Sequence, residues 1–239
     1  MKKTLLIAVA ALAVGITSIQ AQSVYSQNVV GYVNTTLTGG GAFNMITAPL
    51  GAGTNAVEQL MPCLQSGDII YLWQNGNYYS STFIGPGSGP GGEAWLDQYS
   101  NWTNSPTVLA GQGFFYSTAS GNQETNTFTG TVIVTNSTFL PGGGAFTAVA
   151  STPPISGYLD STNFNLPLQS GDIIYLWVTA QNAYYSSTYI GPGSGPGGEA
   201  WLDQYSNWTN APYVNVGQGF FYSTASGSAG TWNQSLKLP

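Results

Sequence analysis

The sequence predicts an all-β protein of two tandem antiparallel units, each a small β-sandwich or partly open barrel produced by an internal duplication. Three observations carry this expectation. A block of 21 residues, IGPGSGPGGEAWLDQYSNWTN, stands twice without a mismatch, at residues 84–104 and 190–210. Its flanks repeat as well, with LQSGDIIYLW before each copy (64–73 and 168–177) and GQGFFYSTASG after it (111–121 and 217–227). Between them lie short apolar or alternating runs punctuated by glycine, proline and asparagine. That is the spacing of a sandwich or barrel and not of alternating strands and helices.

Met1 to Ala21 opens with Lys2 and Lys3, runs through an apolar stretch from Leu5 to Ile16 and ends on Ile19-Gln20-Ala21. An apolar run between a basic start and a small residue reads as a secretory signal peptide, residues 1–21. The stretch is shorter than the roughly 20 residues that cross a bilayer. The mature chain is therefore expected to be secreted, extracellular or at the cell surface, with no membrane insertion. It divides into a first β unit, 22–126, and a second, 127–239.

Each element follows from its residues. Val29 to Val33 are strand formers running into a turn at Gly39 to Gly41, and Phe43 to Pro49 is a second short strand. Ala56 to Met61 suits a single helical turn capped by Asn55. Ile69 to Trp73 is an apolar run of strand length after the Ser66-Gly67-Asp68 turn. In it Ile69, Tyr71 and Trp73, with Ile173, Tyr175 and Trp177, are expected to be mostly buried. Asn75-Gly76 marks a tight hairpin returning through Tyr78 to Ile84. The second copy is two residues longer here, Val178 to Ala183 against Gln74 to Asn77, as an exposed loop tolerates. The tract Gly85 to Gly92 is a loop, because proline has no donor and glycine gains little from order. Glu93 to Trp102 fits a strand or irregular structure better than a helix. Gly113 to Thr118 closes the unit as a strand, and Thr127 to Thr135 alternates cleanly. This last segment both follows the first GQGFFYSTASG and precedes the second GGGAF, so one strand is expected to end the first unit and begin the second. Phe128 to Val134 would then match Trp232 to Leu238.

Composition narrows the chemistry. The chain has no histidine and no arginine, and removal of residues 1–21 leaves Lys237 as the single basic side chain against nine carboxylates. Nucleic acid and anionic membranes, which are held by lysine and arginine, are not expected partners. Histidine-based triads and histidine-bearing zinc sites are excluded. Cys63 is alone, and its counterpart in the second copy is Pro167, so it is read as an idle thiol. No cofactor is expected.

What remains is acidic and aromatic. Glu93 with Asp97, repeated as Glu199 with Asp203, is the pair a glycoside hydrolase would use. Four residues of strand span about 13 Å, however, beyond the ~5 to 9.5 Å such pairs keep, while a helical turn would fit. Asp68, Glu93 and Asp97 are oxygen ligands that calcium could take, although no DxDxDG spacing supports it. Trp95, Trp102 and Asp97, with Trp201, Trp208 and Asp203, supply the residue types of a sugar-stacking platform, with Tyr78, Tyr79, Tyr184 and Tyr185 near them in sequence. Core packing is the alternative use of most of these rings.

With these residues laid out, the chain resembles a group of secreted two-unit proteins typical of Verrucomicrobia. The resemblance is carried by SQNVVGYVN (Ser26 to Asn34), GGAFNMITAPL (Gly40 to Leu50), GDIIYLW (Gly67 to Trp73) and GQGFF (Gly111 to Phe115), and it extends over essentially the whole mature chain. It is also distantly similar to GQGFF-type β domains of Bacteroidetes surface proteins. The GPGSGPGGEAWLDQ block departs from the Verrucomicrobia pattern. The resemblance implies secretion and a β fold and transfers no active site. The leading expectation is a secreted, non-enzymatic structural or interaction protein of the cell surface or matrix, self-association included. A duplicated carbohydrate-binding module is the alternative, and a carboxylate glycoside hydrolase the third.

Overall fold

The structure, a computed structural model, describes residues 29–53 and 55–236, so the expected signal peptide lies outside the described residues. The first unit holds β1 (Val30–Leu37), β2 (Phe43–Ile46), a helical turn α1 (Val57–Leu60), β3 (Ile69–Gln74), β4 (Asn77–Phe83), β5 (Trp95–Asp97), β6 (Trp102–Thr103), β7 (Phe114–Ser117) and β8 (Glu124–Thr131). The second holds β9 (Thr135–Leu140), β10 (Phe146–Ala150), β11 (Gly157–Tyr158), β12 (Ile173–Val178), β13 (Ala183–Tyr189), β14 (Trp201–Asp203), β15 (Trp208–Thr209), β16 (Tyr213–Val214), β17 (Gly219–Ser223) and β18 (Gly230–Ser235).

Each unit is a six-stranded antiparallel sheet that does not close into a barrel. The orders are β2-β7-β3-β4-β5-β6 and β10-β17-β12-β13-β14-β15, the same path traced twice. A two-stranded ribbon covers one face of each sheet, β1 with β8 in the first unit and β9 with β18 in the second. Under the first ribbon Leu37 and Phe128 meet Ile70, Phe83, Trp95, Phe114 and Tyr116. Under the second, Leu140 and Trp232 meet Ile174, Trp201, Phe220 and Tyr222. Each unit therefore has its own apolar core.

The local reading holds at the hairpins. Asn75 (φ 51°) and Gly76 (φ 79°) both take the left-handed conformation that a two-residue turn needs. The two extra residues of the second copy form a short 3-10 turn, Thr179–Gln181, closed by Asn182 at φ 49°. Asn55 does not cap α1. The residue before the helix is Ala56, without a side-chain cap, and the helix start is met instead by Pro106 O on Val57 N and Ser105 Oγ on Glu58 N.

The junction differs from a strand shared by both units. β8 pairs with β1 along its whole length, from Leu37 opposite Glu124 to Val30 opposite Thr131. β9 pairs only with β18. The change of unit thus falls at residues 132–134 and not at 126/127. Val132 N donates to Val29 O and Val134 O accepts from Leu236 N, each at 2.7 Å, so the crossing hands its backbone groups from one unit to the other. The closing strands hold equivalent places with an offset of two residues. Leu37 and Leu140, each just before a triple glycine, face Glu124 and Gly230, which sets Asn126 against Trp232 and Phe128 against Gln234.

The largest difference concerns β3 and β12. Ile70 and Leu72 point into the core of the first unit and Ile174 into that of the second. Ile69, Tyr71, Trp73, Ile173, Tyr175 and Trp177 are only half-buried. A strand alternates its faces, and the odd-numbered side points away from its own unit's core. Tyr71, Trp73, Tyr175 and Trp177 meet the other unit, around a third cluster of Met45, Phe115, Ala148 and Phe221. The two sheets are joined by matched contacts. Thr47 N donates to Gly217 O and Ala150 N to Gly111 O, both at 2.9 Å. The Trp73 and Trp177 indoles donate to Phe146 O and Phe43 O at 3.0 and 2.7 Å.

Candidate functional site

The structure disperses the platform proposed from sequence. Trp95 and Trp201 are 0% exposed, packed on Phe83 and Tyr189 with ring centroids 5.0 Å apart in each case. Their indole N–H groups donate to Glu58 Oε2 at 3.3 Å and Asp160 Oδ2 at 3.1 Å. They are core residues. Trp102 and Trp208 lie on the opposite face of the sheet, because β5 and β6 pair Leu96 with Trp102 and β14 and β15 pair Leu202 with Trp208. Each ring is covered by the glycine-proline loop of its own unit. A Cβ added at Gly89 would come within 2.9 Å of the Trp102 ring, and one at Gly195 within 2.9 Å of Trp208.

The carboxylates are turn makers. Glu93 Oε2 accepts from Gly91 N at 2.8 Å and Glu199 Oε2 from Gly197 N at 2.9 Å, which ties each loop down. Asp97 Oδ1 accepts from Tyr99 N and Asn101 N while Oδ2 takes the Asn101 side-chain amide; Asp203 repeats this with Tyr205 and Asn207. These bonds hold Ser100 and Ser206 at φ 65° and 66°. The backbone N–H of Asn101 holds the Asp97 carboxyl below its ordinary value, and that of Asn207 does the same for Asp203. Asp68 is buried and engaged by Gln65 N, Ala119 N and the Tyr116 hydroxyl. Among the described residues no three His, Cys, Asp or Glu side chains gather as a metal site, so Asp68, Glu93 and Asp97 are not brought together.

The close seat of the loop on its tryptophan yields a prediction. Gly89→Ala should force the loop off the Trp102 ring and destabilise the protein by about 1 to 3 kcal/mol in urea unfolding. Gly121→Ala, where nothing lies within 4 Å and the backbone is not left-handed, controls for the bare glycine-to-alanine change. Equal losses for the two variants would remove the packing role.

The surface that does gather functional side chains is the seam between the units. Trp73, Tyr78, Tyr175, Phe146, Tyr184 and Phe221 enclose a cleft of about 270 Å³. Trp177, Tyr184, Tyr71, Phe43, Tyr78 and Phe115 enclose its mirror, of about 310 Å³. Every lining residue of one has its repeat counterpart in the other. Tyr78 and Tyr184 stand between the clefts, their hydroxyls sharing a 2.7 Å hydrogen bond, and remain 41% and 38% exposed. The rings meet mostly edge to face, Trp73 with Tyr78 at 4.8 Å and Trp177 with Tyr184 at 4.9 Å. Burial pushes both phenols above their ordinary value, Tyr184 the further, so they stay protonated near neutrality.

These walls are aromatic throughout, and both indole N–H groups are already committed to backbone carbonyls. Such a site can hold a flat or apolar group by ring contact, and its phenols are too weakly acidic to act as bases. Sequence chemistry singled out Tyr78 and Tyr184. Phe43, Phe115, Phe146 and Phe221 were legible only as strand residues, because nothing in the chain announces that the two sheets face each other. Comparison of the chain with protein-family models, with curated proteins and with solved structures finds no match.

Proposed function

We propose that this is a secreted, non-catalytic interaction protein of the cell surface or extracellular matrix that docks apolar side chains of a partner in the twin clefts. The observation that supports the reading is the pair of mirrored aromatic clefts, open to solvent and lined by no charged group among the described residues. Rigid rings give contact area at little entropic cost, and aromatic anchors dominate binding energy at interfaces. Assembly through the edges of the two six-stranded sheets fits the structure less well. Their outer edge strands β6 and β15 are only two residues long, and their other edges, β2 and β10, run into bridges with the opposite unit at Gln218 and Gln112.

The test is an NMR titration of the mature protein with N-acetyl-phenylalaninamide as a minimal apolar side chain. Shifts should concentrate on the indole N–H signals of Trp73 and Trp177, and the double variant Tyr78→Ala/Tyr184→Ala should abolish them. Light scattering across a concentration series reports whether a second copy is the partner. Unperturbed indole signals at millimolar probe, in a protein that is monomeric throughout, would defeat the proposal.

A further inference from the structure

The two ribbons differ along their outer edges. Thr131 exchanges both backbone groups with Gly51, its N–H donating to Gly51 O at 2.8 Å and its carbonyl accepting from Gly51 N at 2.9 Å, whereas Val132 N donates toward β1 at Val29 O. Backbone groups alternate sides along a strand, so Thr129 and Thr127 turn their N–H and C=O the same way as Thr131, away from β1. β8 pairs in its ribbon with β1 alone, and among the described residues its outer edge is bridged only at Gly51. Gly51 thus begins a third strand and abandons it after one residue. Thr127 and Thr129 line a cleft of about 450 Å³ together with Leu50, Ala52, Leu60 and Pro62.

In the second unit the same edge is closed. Asn126 Nδ2 donates to Leu60 O and, at the equivalent place, the Trp232 indole donates to Phe164 O, which aligns Thr127 with Asn233. The Asn233 carbonyl accepts from Asn165 Nδ2 at 3.1 Å. The repeat sets MPCLQSGD at 61–68 against NLPLQSGD at 165–172, so Met61 stands where Asn165 does. Its side chain is buried and has no donor to offer. Nor is the open edge guarded as exposed edges usually are, since Thr125 to Thr131 holds no proline and no charge.

We propose that β8 takes up an extended peptide segment of a partner protein as the third strand of its ribbon. A row of N–H and C=O groups at strand spacing is matched by another extended backbone. Such a strand turns alternate residues toward Leu50, Ala52, Leu60 and Pro62, and the rest toward solvent beside the Thr127 and Thr129 hydroxyls. The fitting segment is therefore uncharged, apolar at every second position and polar between, and it continues the bridge that Gly51 makes. Leu60 of α1 and Pro62 bound the cleft, which suits one narrow strand better than the edge of a second copy's folded sheet. The site is single, and none of its residues lines the aromatic clefts of the seam.

A phage library of random octapeptides, panned on the mature protein, tests it. Enriched peptides should alternate apolar and polar residues. The best of them, made synthetically, should raise the hydrogen-exchange protection of the Thr127 and Thr129 amides and leave that of Val132 unchanged. Thr127→Pro removes an outward N–H while the bonds to β1 stay in place, and should weaken binding about fivefold to tenfold, the loss of one backbone hydrogen bond. Pro62→Lys, a change off the strand that sets a charge in the apolar wall, should weaken it as well. The Tyr78→Ala/Tyr184→Ala protein should bind the peptide as the parent does while losing its response to N-acetyl-phenylalaninamide, so the two sites fail separately. The proposal is overturned if the library enriches no sequence on the parent protein, or if the selected peptide binds both Thr127→Pro and Pro62→Lys as tightly as the parent. It is overturned equally if light scattering finds a parent dimer that Thr127→Pro abolishes, which would give the edge to a second copy.

Discussion

Replacing Trp95 with alanine is expected to destabilise the protein by about 3 to 5 kcal/mol, the cost of emptying a fully buried indole site. The ring is wholly enclosed, packs on Phe83, and sits in the same cluster as Ile70, Phe114 and Tyr116. Its loss also leaves Glu58 Oε2 without the indole donor. Trp201→Ala should cost a similar amount, since it packs on Tyr189 and bonds Asp160 in the second core. Trp102→Ala should cost clearly less, because its ring is 37% exposed and covers only the glycine-proline loop. Equilibrium urea unfolding of the three variants measures this. A loss below about 1 kcal/mol for Trp95→Ala would mean that the ring is not held in a packed interior.

The second large effect is expected at Asp68. Its carboxylate sits just before the start of β3 and accepts from Gln65 N at 2.7 Å, Ala119 N at 2.8 Å and the Tyr116 hydroxyl. Asp172 does the same for Gln169 N, Ala225 N and the Tyr222 hydroxyl. Asp68→Ala strands three donors at once, at about 1 to 3 kcal/mol for each that stays dry. A total of roughly 3 to 9 kcal/mol follows if all three stay dry, while Tyr116→Phe alone should cost about 1 to 2. In the Asp68→Ala background Tyr116→Phe should cost nothing or recover part of the loss, because it removes one of the stranded donors. Additive losses in that cycle would show that the phenol is held by something else.

The same contact has a pH signature. Burial, and then the Asp68 carboxylate that receives its proton, push the Tyr116 phenol far above its ordinary value near 10; Tyr222 is raised for the same reasons through Asp172. A folded-state value above the unfolded one means that the unfolded chain ionises first. The stability held by these phenols is therefore complete below about pH 10 and declines as pH rises beyond it.

The duplication, the strand positions and the antiparallel class were legible because they rest on local signals: an exact repeat, Asn75-Gly76 at the hairpin, and short runs between glycine and proline. The orientation of β3 was not. Ile69-Ile70-Tyr71-Leu72-Trp73 is apolar on both sides, so alternation cannot say which face meets its own core and which meets a neighbour. Only the presence of the second sheet decides. The tryptophans of the repeated block posed a similar problem. Trp95 and Trp102 differ by seven residues and one chain reversal, and a strand ending at Asp97 with a turn through Ser100 sends them to opposite faces. The seam was invisible for a further reason. Its clefts are made by residues from both halves, Trp73 beside Phe146 and Trp177 beside Phe43, and such pairings span 73 and 134 positions of the chain.

The paired tryptophan-to-carbonyl bonds and the shared tyrosine hydrogen bond give the molecule the geometry of a symmetric homodimer, yet both halves belong to one polypeptide and only residues 132–134 separate β8 from β9. Two consequences follow. Association no longer depends on protein concentration, because the tether fixes the effective molarity of each half for the other. In a true dimer of identical chains every substitution is made twice, so a site cannot change on one side alone. Here each half is encoded separately. Val33 and Asn136, Thr36 and Phe139, and Leu109 and Asn215 are free to differ, and a symmetric scaffold can carry an asymmetric surface.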